Sequence, residues 1–255
     1  NLSPVAVTGL PADVTAIAAG KSHSLALVGG VVYAWGADNT GQLGDGTVGS
    51  PANSATPAIV TGLPADVTAI AAGGGHSLAL AGGVVYAWGA DANGQLGDGT
   101  VGSPTNSATP AAVTGLPAGV TAVDGGQFHS LALAGGVLYA WGNNSAGQLG
   151  DGAWVPPTVA NRPTAAPVRN PETSGPMGNV AAFSAGPYHN LAVRADGIAF
   201  AWGSNSFGNF GSNYFLNFDT AIPQQVLLHN VTAVAAGGES QAHSLALTSD
   251  PIATL

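Results

Sequence analysis

Cysteine is absent from the chain, which excludes disulfides, thiolate metal sites and a cysteine nucleophile. Charge is nearly as scarce: Asp, Glu, Lys and Arg make up 7% of the residues, against roughly 25% in ordinary soluble domains. Only Lys21, Arg162, Arg169 and Arg194 are cationic against 13 acidic residues, giving a formal net charge of −9. A chain of that sign repels phosphate backbones, so nucleic-acid binding through a basic patch is excluded. Long apolar runs are missing as well. Leu25–Val28 and Val31–Trp35 fall far short of a membrane-spanning helix, and the Gly29-Gly30 pair separates them.

What is present is repetition. His23-Ser24-Leu25-Ala26-Leu27 returns at His76, at His129, as His189-Asn190-Leu191-Ala192-Val193, and at His243. Tyr-Ala-Trp-Gly ends at Gly36, Gly89 and Gly142, with Phe-Ala-Trp-Gly at Gly203. A period near fifty residues indicates propeller blades or a solenoid. In the first unit four strands are expected: Val14–Ala19, Ser24–Val28, Val31–Trp35 and, after a long connection, 58–61. Gly29-Gly30 is a two-residue hairpin signal because both central positions can take positive φ, and it recurs at Gly82-Gly83 and Gly135-Gly136. Four antiparallel strands per unit make an all-β propeller of four-stranded blades. The Ala-rich first strands belong innermost, where blades crowd, and the indoles of Trp35, Trp88, Trp141 and Trp202 fill the gaps between blades. The units span about 11–63, 64–116, 117–168, 177–226 and 228–255 of one domain, 1–255. Residues 1–10, through Val5–Thr8, would supply the strand that closes the last blade. A closed five-bladed ring and a five-blade arc of a larger propeller both fit this count.

Gly20-x-x-His23-Ser24-Leu25-Ala26-Leu27, then Val32 to Gly36, then Gly41-Gln42-Leu43-Gly44 resemble the regulator-of-chromosome-condensation repeat, of a bacterial extracellular type, over nearly the whole chain. The fourth unit departs from it with Phe207-Gly208-Asn209-Phe210-Gly211. The resemblance implies a β-propeller and, from the family's founding member, nucleotide exchange on a small GTPase. The acidic charge and the lack of a basic tail stand against exchange. Inhibition of a secreted enzyme and glycan binding are further alternatives.

Catalytic chemistry has no support in the residues. Five histidines spread one per blade cannot converge on a metal, so no metal or cofactor is expected, and each imidazole is expected to bond backbone at a strand start. Ser beside His on a strand points to the opposite face, which rules out a hydrolytic pair within one unit. The Asp-Asn-Gly segments near Asp38, Asp45, Asp91 and Asp98 are read as turns rather than calcium loops. The expectation is a non-enzymatic protein-binding or scaffolding propeller, extracellular or at the cell surface, acting on a protein partner or on copies of itself. Lysine scarcity and the start at Asn1, without methionine or leader, are read as marks of a processed, secreted product. A partner surface is expected where the repeat breaks down, at Trp154, Phe207, Phe210, Tyr214 and Phe215. The plain alternative is that these rings pack their own loops onto the propeller.

Overall fold

Alternation of Val, Ile, Leu and Tyr with Ala and Gly, cut by glycine pairs, gives strands of five to seven residues in a computed structural model of the chain. The structure describes residues 3–49, 53–102, 106–153, 161–211, 218–238 and 242–249. Among these there is no α-helix. The first blade holds β1 (Val14–Ala19), β2 (His23–Val28), β3 (Val31–Ala37) and β4 (Asn53–Ile59). The second holds β5 (Val67–Ala72), β6 (His76–Ala81), β7 (Val84–Gly89) and β8 (Ser107–Ala112). The third holds β9 (Val120–Gly125), β10 (His129–Ala134), β11 (Val137–Gly142) and β12 (Arg162–Pro167). The fourth holds β13 (Val180–Ala185), β14 (His189–Arg194), β15 (Ala199–Gly203) and β16 (Thr220–Gln225), and the fifth β17 (Val231–Gly237) and β18 (His243–Thr248). Each blade is an antiparallel meander in chain order.

The hairpins form where the glycine pairs require them: Gly29 and Gly30 sit at φ 56° and 83°, a conformation other residues adopt only with strain. The fourth strand departs from expectation. It runs Asn53–Ile59 rather than 58–61, and Pro57 lies inside it. Proline reads as a strand breaker in sequence, but β4 is the edge strand of its blade, where a missing N–H need not cost a ladder bond.

Blades join through apolar seams. Leu25 and Leu27 of β2 meet Ala79, Ala81 and Trp88 of the second blade. The second and third blades meet through Leu78, Leu80, Ala132, Ala134 and Trp141, and the third and fourth through Leu131, Ala192 and Trp202. In the fourth seam Leu191 and Val193 cover Val231, beside Val234 and Ala236. The second-strand leucines therefore look forward along the chain, while the alanines and the indole look back.

The fan does not close into a five-bladed ring. Residues 3–10 form no strand, so Val5–Thr8 does not complete the last blade, and Val5 and Val7 are exposed. Ile17 on the first blade is 78% exposed, and Leu245 and Leu247 on the last are each 64% exposed. Ile252–Leu255, expected to add a strand there, lie outside the described residues.

Candidate functional site

One hydrogen-bond relay recurs at each joint and fixes how the blades are aimed. Because His and Ser adjoin on a strand they face opposite ways, so each histidine reaches the next blade's serine rather than its own. His23 Nε2 donates to Ser77 Oγ at 2.9 Å, and Ser77 Oγ–H donates to the Gln42 carbonyl at 2.9 Å. The Trp88 indole N–H lands on that same carbonyl at 2.9 Å. His76, Ser130, Gln95 and Trp141 repeat the set at the next joint. At the third, Asn190 takes the serine's place: its Oδ1 accepts from His129 Nε2 at 2.7 Å while its Nδ2 donates to the Gln148 carbonyl at 2.7 Å. His189 meets Ser244 at 3.1 Å. The expectation of backbone-bonded histidines is corrected here: the partner is a side chain across the seam.

Since the hydroxyl proton is committed to the glutamine carbonyl, the histidine must supply the other proton, which assigns the neutral Nε2–H tautomer. Nδ1 of His23, His76, His129 and His189 is buried without a partner. Burial accordingly lowers the imidazole pKa, to about 4 for His23, His129 and His189 and about 3 for His76. The glycine three residues earlier in the first four blades is a packing requirement: a Cβ on Gly20, Gly73, Gly126 or Gly186 would strike the following histidine ring. Gly-x-x-His is thus part of the joint and has no chemistry left over. Among the described residues no three His, Asp or Glu side chains converge as a metal site.

The Asp and Asn residues of the repeated turns are likewise occupied. Asp38 Oδ1 accepts the Leu43 N–H at 2.9 Å and Asp91 Oδ1 the Leu96 N–H at 2.9 Å, with Asn144 and Asn205 doing the same for Leu149 and Phe210. Asp45 and Asp98 each bond the backbone and hydroxyl of the threonine two residues on.

The residues not spent on the scaffold gather at one end of the fan. His23 pairs with Gly36, and Gly36 with Ser54, so the β1–β2 turn and the long β3–β4 connection emerge at the same end. Thr40 Oγ1, bonding the Gly75 carbonyl at 3.0 Å, ties a long connection to the next blade's turn. The two residues between Gly and His differ in each of the first four blades: Lys21-Ser22, Gly74-Gly75, Gln127-Phe128 and Pro187-Tyr188. The first residue of each pair, Lys21, Gly74, Gln127 and Pro187, lines an axial opening together with glycines at or just beyond the ends of the first strands. Phe128 and Tyr188 form a tilted aromatic pair with centroids 6.1 Å apart. Phe207 and Phe218, on the connection between β15 and β16, share this end and are 64% and 71% exposed.

Of the five aromatics singled out in the sequence, Phe207 is at the surface, and Trp154, Tyr214 and Phe215 lie outside the described residues. Phe210 is a correction. It occupies the leucine position of Gly-Gln-Leu-Gly, is 6% exposed, and packs with Leu191, Ala201 and Val226, so it belongs to the core. Phe128 and Tyr188 went unnoticed because each stands alone in sequence. The signal was their place in a stretch that differs among the first four units while the flanking glycine and histidine are kept.

The sequence profile of the RCC1-like domain matches residues 1–252. The chain is 34% identical over 203 residues to the human probable E3 ubiquitin-protein ligase HERC6, covering 76% of this chain and 19% of that one. It is 30% identical to the Arabidopsis thaliana ultraviolet-B receptor UVR8, covering 86% of this chain and 48% of the receptor, so it spans half or less of these relatives' length. Human WBSCR16 superposes with a TM-score of 0.77 at 26% identity, over 92% of this chain and 57% of that chain. Prp20p of Saccharomyces cerevisiae, a structure described with its binding properties to Gsp1p and histones, gives 0.74 at 26% identity, over 95% and 58%.

Proposed function

The chain belongs to the RCC1-like domain family, and from that premise we propose that it is a non-enzymatic propeller that binds a protein partner through the end carrying the β1–β2 turns and the long connections. The observation that carries this reading is the confinement of variation. Strands, seams and relay repeat through the first four blades, whereas the pair before each of their histidines differs and includes Phe128 and Tyr188, whose rings contact each other at the end of the fan that carries the β1–β2 turns. Exposed, rigid rings are the side chains that dominate protein-binding energy. Asp45 and Asp98 are exposed at the same end, and the net charge of −9 favours a partner surface that is basic or neutral. Binding of Gsp1p and histones by Prp20p makes a protein ligand the natural class. Ligase activity is not carried over from a relative of which the chain matches 19%. Secretion or surface display is supported by composition, chiefly the scarcity of lysine.

The test is capture from culture medium and, separately, from cytosol, with three immobilised forms: the parent, Tyr188→Ser with Phe207→Ser, and Val84→Ser at the opposite end. The reading expects a protein bound by the parent and Val84→Ser and released by the double variant. A bound set that is the same for all three forms, or acceleration of nucleotide release from a small GTPase, overturns it.

A further inference from the structure

In the third and fourth blades the innermost strand breaks its own repeat. Opposite Leu25, Leu78 and Leu245 of the second strands stand Ala18, Ala71 and Ala235, but opposite Leu131 stands Asp124 and opposite Leu191 stands Ser184. Ala18 and Ala71 are apolar members of the first two seams, so a seam does not need a carboxylate at this position. A carboxylate set between packed strands is costly unless its oxygens are bonded. Those of Asp124 are. Oδ1 accepts the Gly125 N–H and Oδ2 the Ala185 N–H, each at 2.8 Å, and the Ser184 hydroxyl donates to the carboxylate as well. Ser184 Oγ in turn accepts the Ala236 N–H at 3.1 Å, which carries the tie on to the fifth blade.

The two backbone groups that Asp124 holds are the bases of neighbouring turns. Gly125 leads through Gly126 into Gln127-Phe128, and Ala185 through Gly186 into Pro187-Tyr188. These are the turns whose rings meet, with centroids 6.1 Å apart. The joint that has Ala18 links Lys21-Ser22 to Gly74-Gly75, without a ring, and the joint that has Ala71 brings in Phe128 alone. A main-chain bond between turns is common to all three joints: Lys21 N–H to the Gly73 carbonyl, Gly74 N–H to that of Gly126, and Gln127 N–H to that of Pro187. Asp124 is what the joint with two rings adds. We propose that Asp124 is a positioning residue for the partner-binding end: its carboxylate ties the Phe128 and Tyr188 turns to each other, so that a partner meets the two rings as one preformed surface. The assignment rests on the loop-end reading and names the residue that holds its aromatic contact. Preforming the pair removes an ordering cost from association.

Three variants test it. Asp124→Ala gives the third blade the second blade's own residue, Asp124→Ser gives it the fourth's, and Ser184→Ala leaves both backbone bonds of Asp124 in place. All three should keep the parent's circular dichroism. In Asp124→Ala, hydrogen exchange at the Ala185 amide should speed up by about tenfold or more, and nuclear Overhauser contacts between the Phe128 and Tyr188 rings should weaken. Asp124→Ser, whose hydroxyl can accept one N–H as Ser184 accepts that of Ala236, should be intermediate, at about threefold, and stands in for Asp124→Ala if the latter does not fold. Ser184→Ala should match the parent in both readouts. The protein that the parent captures from medium or cytosol should bind Asp124→Ala roughly tenfold more weakly. An Ala185 amide that exchanges at the parental rate overturns the proposal. So does faster exchange with ring contacts and binding unchanged, since Asp124 would then serve the seam alone. A parent that captures nothing, or capture that survives Tyr188→Ser with Phe207→Ser, sinks the loop-end reading and this proposal with it. Capture lost in that double variant but parental in Asp124→Ala sinks this proposal alone.

Discussion

The first and second blades carry nearly the same residues, and the fold puts them to different use. Trp88 is fully buried with its indole N–H on the Gln42 carbonyl, while Trp35 is half-buried. Ile70 packs into the first seam, while Ile17 stands in the open. Nothing in the local sequence separates these pairs; the neighbour does. A blade's stability in this architecture belongs to its joints, and a blade with one joint is held by half as much.

Acid should expose that difference most strongly. The buried imidazoles titrate at about 3 to 4 in the folded chain and near 6.5 when unfolded. Within that window the unfolded chain binds protons that the folded one does not, so stability is complete above about pH 6.5 and is lost as pH falls through the window. For His76 and His129, fully buried, the loss approaches roughly 3–5 kcal/mol each. Asp124 opposes this, because burial raises its pKa and protonation relieves the folded state. Urea midpoints should therefore drop steeply between pH 7 and pH 4, and His76→Gln should flatten the curve. A parent profile that is flat across this range would remove the neutral, buried histidines from the account.

Truncation within the seams should come next. Leu78→Ala, in the second seam, should cost about 2–5 kcal/mol, whereas Leu245→Ala in dilute protein should stay within about 0.5 kcal/mol. Similar losses at the two positions would mean that the last blade is covered. Removing the relay hydroxyl should be smaller: Ser130→Ala takes away both the acceptor for His76 and the donor to Gln95, costing about 1–3 kcal/mol, against under about 0.5 kcal/mol for Ser24→Ala. The smallest contrast is Trp88→Phe, about 1 kcal/mol for a lost indole bond, set against Trp35→Phe, where chemical denaturation should register almost no change.

Much of this was legible in the residues. The period, the glycine-pair hairpins and the alanine-rich inner strands follow from local rules, and β1 carries the bounds the sequence suggested. The histidine's partner was not legible, since it lies one whole blade away and pairs through a seam that only assembly creates. β4 was displaced because Pro57 signals a break unless the strand is known to be an edge. Phe210 looked like a recognition ring for the same kind of reason. It replaces a leucine of the turn motif, and its burial depends on Val226 and Leu191, which no local pattern brings near.

The relay also has a direction. Every joint takes its donor histidine from the blade before and its acceptor from the blade after, so the units couple like carriages, front hook to rear ring. Such a series can gain or lose a whole unit without remaking any coupling: excision of residues 64–116 would leave His23 facing Ser130 where it now faces Ser77. A gene encoding it can therefore change length by recombination between its own repeats, each product keeping every joint in register. The near-identity of the first two blades is what a recent step of that kind would leave behind.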